Sequence, residues 1–426
     1  MEAASLSEGR EATSDDRIGQ EAIASAEGLL PVIVDLIVDG VIQAGSRGPI
    51  ASDLRAALRT HPHEAFESDT INLDSLAVIR AASRVAELFA MDRTGHDDFL
   101  LMSRDAYRWA ALAAQALSIN GEVVLRTSGS TDAPKRIVWP IRELIEEARA
   151  FAARFCPGRT VVLVPTCHLF GFVFGALVPA VAGVPAVSMV GRLGSAVARD
   201  LQPGDLVAAT PFLWSDVIGA LAASTAPCPR ITGVSSGDAW PDDRWREIDQ
   251  LETLTLCDVF GSTETAAIGL RDGPGPFALA PGISWSAPAP AATLARRTRA
   301  LPMADRLVRV AQSSGPDGFE WAGRSDDSTT VAGVTVALAD VRSVLTAHPA
   351  VTAAACRLDR RLATPRLKAF VQVAGDGNPG VVAALHAACR DRLPAVARPH
   401  HIAMGPELPR GPSGKLADWP TNPTDD

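Results

Sequence analysis

Five short β-rich runs between residues 122 and 262 each end in small polar residues. They are EVVLRT at 122–127, TVVLVPT at 160–166, DLVAAT at 205–210, RITGVSS at 230–236 and TLTLCDVFGS at 253–262. Stretches of helical pattern separate them, at 140–155 and 214–224. Strands alternating with helices predict an α/β fold, with mainly parallel strands flanked by helices. In such sheets ligands bind at the carboxyl ends of the strands, where these polar clusters fall.

A chain of 426 residues exceeds one ordinary domain. Residues 1–22 are polar and acidic and read as a frayed tail. Residues 23–118 read as mostly helical, with apolar positions in LDSLAVIRAASRVAELF at 73–89 near a 3.6-residue period. The α/β core is expected over 119–325. A small α+β unit follows at 326–426, where strands at 350–358 and 367–374 are framed by helices.

Hydrophobic residues make up 47% of the chain and aromatics only 5%, so its core must be built mainly from Ala, Val and Leu. The net charge is -9 and no basic face stands out, which argues against a nucleic-acid partner. Cysteines at 156, 167, 228, 257, 356 and 389 include no Cys-x-x-Cys pair. They imply neither a metal site nor a disulfide framework, and they fit a reduced cytoplasm. Residues 160–191 carry no charged side chain, a length that invites comparison with a membrane span. Pro165, Pro179, Pro185 and His168 break the run, which reads instead as a buried strand, a loop and a buried helix.

The segment TSGSTDAPK brings together Thr127, Ser128, Gly129, Ser130 and Thr131, then Lys135. A loop of hydroxyls and glycine after a strand offers backbone N–H groups without steric bulk, and the lysine adds a point charge. That is a phosphate cradle, or else a Ser/Thr-rich turn. It is not a Walker A loop. Lys135 follows Pro134 and precedes Arg136, and the later Gly414-Lys415 pair lacks both the first glycine and the hydroxyl.

These residues resemble the signature loop of the ANL adenylate-forming superfamily, which includes acyl- and aryl-CoA synthetases, peptide-synthetase adenylation domains and firefly luciferase. Further segments resemble the family's motifs in the family's order. CHLFG at 167–171 resembles the acid-site histidine motif, SSGDAWP at 235–241 the adenine loop and FGSTET at 260–265 the Tyr-Gly-x-Thr-Glu motif. MADRLV at 303–308 resembles the ribose-binding segment, GRSDD at 323–327 the hinge and RGPSGKL at 410–416 the loop of the catalytic lysine.

The resemblance implies ATP and Mg²⁺ as cofactors and assigns roles residue by residue. The 127–135 loop would hold the β- and γ-phosphates, Thr263 the α-phosphate, and Glu264 the metal. Phe260 and Gly261 would lie against adenine, with Gly237, Asp238 and Asp258 at its edge. Asp305 would accept the ribose hydroxyls, with Arg324 nearby. Lys415 would reach between carboxylate and α-phosphate. His168, Phe170, Phe172, Trp214 and Ser236 would shape the acid pocket. The small unit would rotate about Asp326, and Gly333 would admit a pantetheine thiol. Taken singly, Glu264, Asp305, His168 and Lys415 also read as a helix-start carboxylate, a surface aspartate, a core histidine and a tail lysine.

Some residues depart from the pattern. Asp132 and Arg136 stand where the family has glycines. A carboxylate beside a triphosphate is unfavourable unless Asp132 faces away or Arg136 offsets it. The region before the loop is short. Within it Asp74-Ser75-Leu76 resembles a carrier-protein motif, with Ser75 as pantetheine site, but Asp74 is equally an ordinary helix N-cap. The expected function is ATP-dependent activation of a small aromatic acid of hydroxy- or aminobenzoate type. The acyl group would pass to a pantetheine thiol, on a carrier protein or on CoA. The enzyme would be cytoplasmic, without a nucleic-acid or membrane partner, and a monomer or homodimer. Other readings are a medium-chain fatty acid substrate, transfer to an amine or hydroxyl, or an inactive nucleotide-binding module.

Overall fold

A computed structural model of the chain describes residues 25–43, 51–126, 135–224, 227–237, 240, 242–286, 294–297, 299–303, 305–311, 317–324, 328–359, 361–362, 364–373, 379–409 and 418–419. It opens with four helices, α1 (Ala26–Gln43), α2 (Ala51–Thr60), α3 (Ser75–Leu88) and α4 (Ala106–Asn120). Asp74 takes the N-cap role at α3, accepting from the Ala77 N–H at 2.7 Å. Asp105 does the same for α4 at 2.8 Å, and Gly121 ends that helix in the left-handed region.

An antiparallel hairpin follows, β1 (Glu122–Arg126) and β2 (Arg136–Pro140), with Arg126 opposite Arg136 at its mouth. Helix α5 (Ile141–Phe155) then leads into the main sheet. Its strands are β3 (Arg159–Val162), β4 (Ala186–Ser188), β5 (Asp205–Ala209), β6 (Ile231–Ser235), β7 (Leu254–Ser262), β8 (Ala266–Arg271) and β9 (Ala278–Leu279), in the order β4-β3-β5-β6-β7-β8-β9. The first five run parallel, β8 pairs antiparallel with β7, and β9 pairs antiparallel with β8. The fold is therefore the expected α/β type. Its strand order reverses at β3, which places a ligand crevice beyond the carboxyl ends of β3 and β5.

Period-two alternation sorts the side chains into two layers. Val162, Leu206, Ala208, Val234, Cys257 and Val259 face one core, and Val161, Val207, Ala209, Ile231, Leu254 and Leu256 face the other. The second layer is covered by α8 (Gly194–Asp200), α9 (Pro211–Ala222) and α10 (Asp242–Asp249). The first layer is continuous with the N-terminal helices. One core runs from Ala26 in α1 through Trp109, Trp139 and Phe151 to Phe319. Helices α1–α4 share this core rather than enclosing one of their own.

The uncharged run 160–191 is β3, a loop, a helix and β4. The helix starts as α6 (Leu169–Phe172), widens to a π-turn over Val173–Leu177 and ends as α7 (Val178–Ala182). Pro179 has no N–H for the carbonyl four residues earlier, which accounts for the widened turn. Among the described residues no helix is long and apolar enough to cross a membrane.

Three small antiparallel sheets follow. They pair β10 (Ile283–Trp285), β11 (Leu294–Arg296) and β12 (Arg299–Ala300), then β13 (Asp305–Val310) with β14 (Gly318–Arg324), then β15 (Ser328–Val331) with β16 (Val334–Ala337). The last unit joins α11 (Leu338–Thr346) and α12 (Pro379–Arg392) to the strands β17 (Val351–Asp359), β18 (Arg366–Val373) and β19 (His401–Gly405) around a separate core. Residues 273–286, rich in Pro, Gly and Ala, contain the short strands β9 and β10.

Candidate active site

The carboxyl ends of the parallel strands carry most of the polar residues singled out by sequence. Beyond β3, the loop Leu163–His168 turns back toward α1. Its Thr166 donates both its N–H and its Oγ1 hydroxyl to Asp35 Oδ2, each at 2.7 Å. Asp35 is fully buried and its other oxygen is held by Arg55 Nε at 2.8 Å. Gly171 packs where a Cβ would lie 2.1 Å from the Pro165 carbonyl oxygen, so no other residue lets the helix start this close to the loop. The loop that presents His168 is thus clamped at both ends.

His168 reaches solvent on one side, but the protein around its ring desolvates it and pushes its pKa below the ordinary histidine value. Asp39 pulls in the other direction, and Arg84 adds to the fall. The imidazole is therefore neutral at pH 7. The neighbouring Cys167 thiol is pushed up to about 12, first by burial, and is not a nucleophile. A proton taken up by the unfolded chain near pH ~6.5 is refused by the folded chain, so His168 lowers stability as pH falls below that value and stops doing so below its folded pKa. His168→Gln is expected to flatten the acid limb of a urea-midpoint-against-pH curve relative to the parent. An unchanged slope would refute the neutral assignment.

Thr210 caps α9 at the end of β5, its Oγ1 accepting from the Leu213 N–H at 3.4 Å. At the end of β6 Ser236 is buried and donates to the Val259 carbonyl at 2.7 Å, and Gly237 follows at φ +98°. Beyond β7 the turn Ser262–Thr265 carries Thr263 and Glu264 at its apex, both half-buried. Ser262 N–H donates to Thr265 Oγ1 at 3.0 Å, and Trp139 Nε1 donates to the Thr263 carbonyl at 2.8 Å. Trp139 belongs to β2, so it ties this turn to the hairpin whose mouth leads into residues 127–134. Arg296 braces the turn from behind, donating to the carbonyls of Thr265 and Ala267 at 3.0 Å and to Glu147 Oε2 at 2.9 Å. Burial pushes the Glu147 carboxyl up, and Arg296 offsets part of that rise.

Phe260 is half-buried against Phe277 and Phe319, with ring centroids 5.2 and 5.4 Å away. Gly261 stands at the register shift between β7 and β8. Asp258 is buried, and its Oδ2 is held by Arg271 Nε at 2.9 Å. Asp305 and Arg324 are register partners across β13 and β14, and Asp305 Oδ1 accepts from Trp321 Nε1 at 2.9 Å. Gly333 comes from the far end of the sequence. With Ala332 it forms the two-residue turn between β15 and β16, both at positive φ. A Cβ on Gly333 would meet Thr210 Cγ2 at 3.6 Å, and a Cβ on Gly237 would meet the Gly333 Cα at 3.9 Å. The small unit's hairpin therefore lies on the strand ends that carry the site.

The structure corrects two of the expected pocket residues, Trp214 and Phe172, both fully buried in the core layers. Trp214 does not enter the pocket. It is fully buried in the second layer, donating to the Val234 carbonyl at 3.0 Å, because it sits one turn into α9 on the face turned toward the sheet. Arg136 is directed to Glu87, 3.4 Å away, where Arg126 also pairs. Phe170 is half-buried beside Phe174 at 5.1 Å, Phe172 is fully buried in the first layer, and Lys135 is exposed. Thr127, Ser128, Gly129, Ser130, Thr131, Asp132, Asp238, Asp326 and Lys415 lie outside the described residues, as does the side chain of Arg324. Sequence reasoning missed Asp35, Glu147 and Thr210. Thr210 left a local signal, as an N-cap threonine before Pro211 at a strand end, and Asp35 only the anomaly of an aspartate inside an apolar run.

Among the described residues no group of three or more His, Cys, Asp or Glu side chains could hold a metal ion. Glu264 offers one carboxylate, which suits Mg²⁺ arriving on a nucleotide that supplies phosphate oxygens and keeps its waters.

Comparison with known proteins gives a consistent result. The profile of the AMP-binding enzyme family matches residues 121–295, and that of the AMP-binding enzyme C-terminal domain matches 340–415. A 4-coumarate–CoA ligase of Rhodobacter capsulatus is 38% identical over 383 residues, 84% of this chain and 94% of that protein. One from Halorhodospira halophila is 33% identical over 380 residues, 87% and 93% of the two chains. Among solved structures, an amide bond synthetase from Marinactinospora thermotolerans has a TM-score of 0.56 at 17% identity, covering 91% of this chain and 92% of that one. A malonyl-CoA ligase complex has a TM-score of 0.53 at 22% identity, covering 67% and 71%.

Proposed function

The chain belongs to the ANL superfamily of adenylate-forming enzymes and is an ATP-dependent acid–thiol ligase, and from that premise we propose that its acid is aromatic and its acceptor the thiol of CoA. The carboxylate attacks the α-phosphate of MgATP, diphosphate leaves, and the thiol then attacks the acyl carbon and expels AMP. Two anions must be brought together in the first step, so the site's task is to hold both and to neutralise the charge that develops. Glu264 would bind the Mg²⁺ that comes with ATP, Thr263 the α-phosphate and Lys415 the reacting oxygens. Asp305 and Arg324 stand together where the ribose would lie. A neutral His168 suits an apolar, flat acid better than a charged imidazole would.

The observation that carries this reading is the contact of Gly333 with Thr210 and Gly237. It lays a turn of the small unit on the mouth between the acid loop and the nucleotide strands, the approach a pantetheine thiol needs. Rotation about Asp326 would withdraw that turn and bring Lys415 in for adenylation. Gly333→Ala forces a non-glycine residue to positive φ and narrows that approach. It is expected to slow thioester formation from a supplied acyl-adenylate more than it slows ATP–pyrophosphate exchange. Equal slowing of both would remove Gly333 from the thiol path.

The names of the relatives support a 4-hydroxycinnamate-type acid within the aromatic class and CoA as the thiol. The test is ATP–pyrophosphate exchange over 4-coumarate, hydroxy- and aminobenzoates and medium-chain fatty acids, with product masses after adding CoA, a pantetheinylated carrier protein or an amine. Fastest exchange with an aromatic acid, and a CoA thioester as product, is expected. Preference for a fatty acid, an amide product, or no exchange at all would each refute a named part of the proposal.

A further inference from the structure

Lys368 is a buried lysine of the small unit, with 1% of its surface exposed, on the face of its strand opposite the core residues Leu367, Ala369 and Val371. It lies on β18, the middle strand of its sheet. Burying an ammonium is costly unless its donors are matched, and an apolar side chain would fill the same space without that cost. Its Nζ donates to the Trp419 carbonyl at 2.7 Å and pairs with Asp418 Oδ1 at 2.8 Å. The ammonium also lies 5.2 Å from the centre of the Trp419 ring. Trp419 is itself buried, edge-on to Phe370 at 5.9 Å. All these contacts hold the chain at residues 418–419, three and four positions after Lys415.

The other flank of Lys415 is fixed to the same strand. β19 pairs parallel with β18, placing His401 beside Lys368, and a Cβ on Gly405 would lie 2.8 Å from Phe370 Cζ. Lys368 and Phe370, two residues apart on one face, therefore grip the chain on both sides of residues 410–417. Three residues of chain reach at most about 11 Å, so whatever fixes Asp418 sets the volume open to Lys415.

We infer that Lys368 is a positioning residue for the adenylation step, anchoring Asp418–Trp419 so that Lys415 is delivered in a fixed place. This rests on Lys415 acting in adenylation. The test compares two half-reactions in the full-length chain, ATP–pyrophosphate exchange with 4-coumarate and thioester formation from supplied 4-coumaroyl-AMP and CoA. Lys368→Met, which keeps the aliphatic stem and removes the charge, is expected to lower exchange about a hundredfold, the scale of a misplacement of about 1 Å. Thioester formation should stay near the parent's rate. Unchanged exchange, or a parallel fall in both half-reactions, overturns the anchor. If Lys368→Met does not fold, Asp418→Asn decides by the same criterion, since it removes an exposed partner and leaves the core intact. Lys415→Ala separates the two levels. If it exchanges like the parent, the role of Lys415 and the anchor both fail. If it collapses while Lys368→Met does not, only the anchor fails.

Discussion

Replacing Asp35 by alanine is expected to lower the unfolding free energy by about 3–5 kcal/mol, the cost of removing one partner from a buried ion pair. Asp35 is the counter-charge for Arg55, and its field also supports Arg59, a guanidinium whose pKa burial pushes down. Without it, Arg55 is left largely buried and unmatched, the Thr166 N–H loses its acceptor, and the Thr166 hydroxyl keeps only the Pro31 carbonyl at 3.0 Å. The damage should be directional as well. Thr166 lies two residues before His168, so the KM for the acid should rise more than the KM for ATP in whatever protein remains folded. Urea unfolding with steady-state kinetics measures both. A loss below about 1 kcal/mol, typical of an exposed pair, would show that the clamp is not structural.

Glu264→Gln should behave in the opposite way, leaving the fold alone and removing the chemistry. The turn that presents Glu264 is shaped by Ser262, Thr265, Trp139 and Arg296. A neutral isostere at its apex should therefore change stability by no more than about 0.5 kcal/mol. ATP–pyrophosphate exchange is expected to fall by roughly a hundred- to a thousandfold, as when a preorganised group is removed from a developing charge. Raised Mg²⁺ should recover part of the loss. Exchange within a few-fold of the parent at ordinary Mg²⁺ would take Glu264 out of the metal site.

The strands were legible because each carries its own signature. An apolar run that stops at Thr210, Ser236 or Ser262 marks both a strand and its ligand-bearing end. The turn chemistry at 262–265 and the Asp74 cap were likewise local. Trp214 was misassigned because an aromatic one turn past a strand end lies either toward the pocket or toward the sheet, and only the angle of α9 decides. Asp35 and Thr166 are separated by 131 positions, and Lys368 and Trp419 by 51. No periodicity connects such pairs. An aspartate inside an apolar helix and a lysine inside an apolar strand are visible anomalies in the sequence, but their partners emerge only from the topology. The order of the strands follows the same logic. Alternation predicts a parallel sheet, but not the two antiparallel pairings, β7 with β8 and β8 with β9, that end it.

Helix α1 is buried on nearly every side, with Val32, Ile33, Val34, Ile37 and Val38 all closed to solvent. A largely apolar rod of this kind cannot survive as a detached piece, and the core that it shares with the sheet loses a wall without it. A chain begun at Gly121, where the match to the AMP-binding enzyme profile starts, would expose that core and aggregate rather than fold. Any recombination of this enzyme with a relative must therefore carry helices α1–α4 across with the nucleotide strands as one inheritance. The small unit, which closes around its own core, is the part that can be exchanged.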